Sequence, residues 1–109
     1  MLIALAAAFL AAEEPPPTPA VAAALQAWGE CVNEKIDRAD RGLSPDRAAD
    51  AVLAECASLQ QSLLAEHARW LESSTLSDAA KRRARRSMDR SLATLRGQVA
   101  RGIRMMRDD

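Results

Sequence analysis

The chain has no tyrosine, and its only phenylalanine, Phe9, lies near the start. Single-stranded nucleic acid is gripped by aromatic faces set along a basic groove. The most basic segment here carries no aromatic residue, which disfavours nucleic acid as a partner. His67 is the only histidine, about three helical turns beyond Cys56. A metal site would need further ligands at close spacing, so no metal is expected. The few glycines form no phosphate-cradling loop, which leaves no cofactor implied. No nucleophile, base and orienting group stand at a spacing that would bring them together, and an enzyme is the least supported class. Glu30 and Glu34 sit four apart, as an acid/base pair might require, yet with no histidine nearby they read as a solvated helix face. No strand pattern and no internal repeat is present.

What remains is alanine, arginine and helical periodicity. The apolar fraction of 49% overstates the core, because 24 residues are alanine. A small domain with so thin a core benefits from a covalent staple or a partner. Two cysteines supply the first of these. Apolar residues recur at Val21, Leu25, Trp28, Val32 and Ile36, and again at Val52, Cys56, Leu59, Leu63 and Trp70, both at helical steps. Between the two runs stands Arg41-Gly42-Leu43-Ser44-Pro45. Gly42 suits a left-handed residue after a helix, Ser44 an N-cap and Pro45 the first helical position. Cys31 and Cys56 lie 12 and 13 residues from Leu43. At about 1.5 Å per residue, each is roughly 18–20 Å from the turn, so antiparallel arms bring them to one height. A structural disulfide is the expectation. A redox pair lacks the close spacing that tunes thiols, and free thiols are the remaining alternative.

The expected fold is all-α: a disulfide-stapled antiparallel hairpin plus a long basic third helix. The first helix is expected over 19–41, with Thr18 capping and Pro19 leading. Glu34/Arg38 and Asp37/Arg41 are spaced as ion pairs on its exposed side. The second is expected over 45–72 and the third over 78–106, capped by Ser77. The third carries an apolar line through Ala80, Ala84, Met88, Leu92, Leu95, Val99, Ile103 and Met106. Gly97 and Gly102 either weaken this helix or admit a close neighbour. Its docking stays open: it can close a bundle, continue from the second helix, or project toward another molecule. Trp28 and Trp70 read as packing residues, and Met105 and Met106 as the end of a fraying helix.

Residues 1–12 read as a secretory signal peptide, since eleven apolar residues after the start are too few to span a bilayer. No Lys or Arg precedes that run, so the alternative is an N-terminal piece of the folded domain. Residues 13–18 read as an acidic, proline-rich spacer and 19–109 as a single small helical domain. Export permits a disulfide, and thirteen arginines against two lysines resembles the usage of GC-rich bacterial genomes. The expected location is therefore exported, in a periplasm.

Formal neutrality conceals a division. Residues 13–73 hold eleven acidic and five basic residues, whereas 78–109 hold four acidic and ten basic. The densest run is Lys81, Arg82, Arg83, Arg85 and Arg86, followed by Arg90. These six are the candidate anion-binding residues; the alternative is that the arginines partly face the acidic arms of the hairpin.

Trp28-x2-Cys31-x24-Cys56 resembles small exported helical proteins of alphaproteobacteria in which a tryptophan precedes the first of two hairpin cysteines. The resemblance covers about Val21 to Leu64. It implies a helical fold and export, and brings no activity. Mitochondrial coiled-coil–helix proteins also staple hairpins, but with two cysteine pairs in C-x9-C spacing, absent here. Spy-type periplasmic chaperones share the size and the basic face but carry a Leu-Thr-x-x-Gln signature; Leu95-Arg96-Gly97-Gln98 lacks its threonine.

The expected function is a non-enzymatic structural or interaction protein of the bacterial cell envelope. A binder of anionic surfaces (phospholipid, lipopolysaccharide or another polyanion) through the Arg-rich helix is the second reading, and a periplasmic chaperone-like protein the third. Expected partners are an unknown protein or a second copy, or an anionic membrane surface.

Overall fold

A computed structural model describes residues 18–108. The expected leader, and the spacer apart from Thr18, lie outside the described residues. Within them the chain forms four helices and no strand: α1 Pro19–Asp37, α2 Pro45–Glu55, α3 Ala57–Ser73 and α4 Asp78–Asp108. None is long and apolar enough to cross a membrane.

Helix α1 begins where its first backbone donors find a partner. Thr18 Oγ1 accepts from the Val21 N–H at 3.3 Å, and Pro19, which has no N–H to lose, opens the helix. Val21, Trp28, Val32 and Ile36 form its buried face, with Leu25 half-buried beside them. The helix ends at Asp37, four residues earlier than its periodicity predicts. The Arg38 N–H turns back to Lys35 and Ile36 carbonyls, and Asp40 Oδ1 then accepts from the Gly42 N–H at 2.8 Å. This side-chain turn competes successfully with the helix. Glu34 still reaches Arg38 at 3.2 Å, but Arg41 lies past the helix end, where four-residue spacing no longer sets it over Asp37. Gly42 is not left-handed, since no described glycine has a positive φ. Its need is close approach: a Cβ there would lie 3.1 Å from Asp40 Oδ1.

The expected second helix is two. Ser44 Oγ accepts from the Arg47 N–H at 3.3 Å and Pro45 opens α2 as anticipated. At Cys56 the backbone leaves the helical region (φ −101°, ψ 12°), and α3 begins at the next residue. The Cys56 N–H still bonds Val52 O at 3.2 Å and Gln60 N–H bonds Cys56 O at 3.1 Å, so the chain runs on through the break. The break falls at the cross-link, where Cys56 is fully buried and bonded to Cys31 with Cα atoms 6.0 Å apart. It also divides the packing: α3 lies chiefly on α1, whereas α2 lies chiefly on α4.

Helix α4 thus docks on the hairpin and closes a bundle about 48 Å long and 18–19 Å across. Ser77 Oγ caps it through the Ala80 N–H at 3.1 Å. Ala84, Leu95, Val99, Ala100 and Ile103 join the core that holds Trp28, Leu63, Trp70 and Leu71. Ala80 and Met88 are buried on the same line, Leu92 is half-buried and Met106 is exposed. The far end is tied by Arg107, whose guanidinium donates to the carbonyls of Leu43 and Asp40, both at 2.8 Å. A charged donor satisfying two turn carbonyls contributes about 1.5–3 kcal/mol per bond at most, less where water competes. Arg107→Ala is expected to lower stability by about 1–2 kcal/mol and to speed amide exchange over residues 100–108 and 39–43. Unchanged exchange there would show that the last turn is held by apolar packing alone.

Candidate functional site

The arginines of α4 fall into two groups by what they touch. Arg96 Nε donates to Asp50 Oδ1 at 2.6 Å and its Nη2 donates to Oδ2 at 3.0 Å, a two-pronged pair between α4 and α2. Hydrogen bonding from Arg96 holds the Asp50 carboxyl below its ordinary range, and the same bond raises Arg96. Both side chains are more than half exposed, so the pair orients α4 more than it stabilises it. With Arg107, this pair docks the C-terminal half of α4 on the hairpin, while Arg101 and Arg104 in the same half are exposed and form no ion pair.

The N-terminal half is different. Arg82, Arg83, Arg85, Arg86 and Arg90 are exposed and Lys81 is half-buried. The four ion pairs among the described residues are Lys35–Glu55, Glu34–Arg38, Glu66–Arg69 and Asp50–Arg96, and none involves these six. The reason is local. The hairpin's acids Glu34, Glu55 and Glu66 are engaged by basic residues of the hairpin itself. Along α4, Asp89 is the only acid between Asp78 and Asp108. Six cations therefore stand over roughly 14 Å of helix with one carboxylate among them. Arg83, Arg86 and Arg90 share one strip of the helix surface, at steps of three and four; Arg82 lies beside it, and Arg85 and half-buried Lys81 lie further round toward the buried line.

Arg85, though exposed, also acts through its charge on a buried neighbour. His67 is 7% exposed, its ring 5.6 Å from that of Trp70 at a 52° tilt. Burial, assisted by the Arg85 charge, pushes the His67 pKa below its ordinary 6.5. A histidine held neutral in the folded state and free to protonate when unfolded makes stability rise with pH between its two pKa values. The contribution is therefore complete above about pH 6.5 and is lost as pH falls through the folded value. Thermal melts should show wild-type stability falling below pH 6.5, with that slope flattened in His67→Leu. Parallel pH profiles for the two proteins would remove His67 as the cause.

Elsewhere, a recess of about 310 Å³ opens between the end of α1 and α2 over Ala39, Leu43, Ala48 and Val52. Lys35 and Arg38 on its rim are balanced by Asp40 and Glu55, so it favours neither sign of charge. Among the described residues no group of three His, Cys, Asp or Glu side chains is arranged to hold a metal ion. Legible from spacing were the cysteine pair and the six cations. Missed was the selective use of Arg96 and Arg107, because neither Asp50 nor the Leu43 carbonyl is near them in sequence.

Fold and surface together define a class: a disulfide-stapled all-α bundle whose last helix is basic and unpaired over its first half. Compared with known proteins, the chain matches no family model, no curated protein and no solved structure.

Proposed function

We propose that this is a non-enzymatic interaction protein of the bacterial cell envelope that docks on anionic surfaces, phospholipid or lipopolysaccharide, through Lys81, Arg82, Arg83, Arg85, Arg86 and Arg90. One observation carries the reading: these six cations, gathered within ten residues of one helix, form no ion pair inside the fold. Like charges at four-residue spacing (Lys81/Arg85, Arg82/Arg86, Arg86/Arg90) each cost the helix a few tenths of a kcal/mol. A surface feature that opposes local stability without compensation inside the fold is where a binding role is expected. Guanidinium groups suit phosphate oxygens, which they meet with two parallel donors. The stapled hairpin fits an exported protein that works at a membrane face, since a structural disulfide persists in an oxidising compartment.

Co-sedimentation with vesicles tests this. Binding to vesicles rich in anionic lipid is expected at low salt, falling steeply as ionic strength rises, with little binding to zwitterionic vesicles. Equal binding to both, or binding insensitive to salt, would remove the electrostatic account.

A further inference from the structure

We infer that the protein also self-associates as an antiparallel twofold dimer, in which the outer face of α1 in one copy, Glu30, Glu34 and Asp37, meets the strip Arg83, Arg86 and Arg90 of α4 in the other. All six side chains are exposed. Glu30, Asp37 and the three arginines hold no ion pair within one copy. Glu30 accepts a hydrogen bond from Gln26 at 3.0 Å, and Glu34 holds Arg38 in a well-exposed pair that exchanges readily.

The register follows from the spacing. Along α1 the acids stand four and then three residues apart. Along α4, read backwards from Arg90, the arginines also stand four and then three apart. An antiparallel alignment therefore sets Glu30 on Arg90, Glu34 on Arg86 and Asp37 on Arg83 with no residue out of step.

The bundle then makes this contact reciprocal. Helices α1 and α4 both run opposite to the middle arm, and so run parallel to each other. The Cys31–Cys56 bond and the Asp50–Arg96 pair fix their relative height. At equal rise per residue, Glu30 is level with about residue 89 of α4. A twofold axis across the bundle at that level pairs each α1 with the partner's α4 and returns the same pairs in exchange, giving a closed contact of six pairs. The side also matches. Arg96 and Arg107 mark the α4 edge that faces α2, and Arg83, Arg86 and Arg90 lie about 80–140° round the helix from Arg96. They therefore stand clear of the α2 edge, and the other helix that α4 touches is α1.

This inference stands apart from the surface-binding reading, although the two uses compete for three arginines. Its test is charge exchange, read by sedimentation velocity at about 20 mM and about 0.5 M salt. The wild type is expected to dimerise at low salt and dissociate at high salt. Glu30→Lys/Glu34→Lys/Asp37→Lys and Arg83→Glu/Arg86→Glu/Arg90→Glu, each helical by circular dichroism, are expected to be monomeric alone and to form a heterodimer when mixed one to one, since every pair is then complementary. The α1 variant keeps all six basic residues, so it loses the dimer yet retains vesicle binding. A wild type that stays monomeric at low salt, a variant that still dimerises alone, or a mixture that stays monomeric overturns the inference.

Discussion

Replacing both cysteines, as Cys31→Ala/Cys56→Ala, is expected to destabilise the protein by about 3.5 kcal/mol and to lower its melting temperature by about 15–25 °C. The cross-link spans 25 residues of sequence, and closing such a loop removes a large part of the unfolded chain's freedom. The bond also has a particular place in this fold. It joins α1 to the residue where the middle arm passes from packing on α4 to packing on α1. Cys56 has no exposed surface, so its truncation adds a small cavity in the core to the entropic term. Denaturant unfolding of the oxidised protein and the double variant gives the difference directly. A change below about 1 kcal/mol would mean that packing of Trp28, Leu63 and Val52 sets the hairpin without the bond.

The second large effect concerns binding. Neutralising four residues as Arg82→Gln/Arg83→Gln/Arg85→Gln/Arg86→Gln is expected to weaken adsorption to anionic vesicles by at least 100-fold, because each basic residue near such a surface contributes about 1 kcal/mol. The same variant should melt at or slightly above the wild-type temperature, since it removes repulsion and breaks no ion pair. Arg96→Gln has the opposite profile: it breaks the bond to Asp50 and leaves the basic half untouched. Vesicle affinities and melting temperatures of these two variants, taken together, separate a binding surface from an ordinary solvated face. Loss of stability in the four-residue variant with unchanged affinity would reverse the assignment.

Much of the fold is legible in the residues because its signals are local. Thr18-Pro19, Ser44-Pro45 and Ser77 start helices through bonds to donors three residues on, and the apolar steps from Val21 to Ile36 and from Ala80 to Ile103 name the buried faces. What escaped has a non-local or subtle cause. The end of α1 at Asp37 is decided by Asp40 bonding the Gly42 N–H, a turn that competes with helix. The break at Cys56 leaves the spacing of Val52, Cys56, Leu59 and Leu63 intact, so periodicity passes over it. Burial of Ala48, Ala49 and Ala100 depends on how closely α2 and α4 approach, and an alanine gives no sign of it. The six cations were visible as a run, but that they stay unpaired while Arg96 and Arg107 do not follows only from where Asp50 and the Asp40–Leu43 turn are placed.

The proposed division of α4 into a docking half and a surface-binding half is most directly tested by residue-resolved NMR of the protein titrated with anionic bicelles. Shift changes and line broadening are expected to concentrate in residues 81–90, with 96–107 largely unaffected. Perturbation spread evenly along the helix, or centred on Arg101, Arg104 and Met105, would contradict that division.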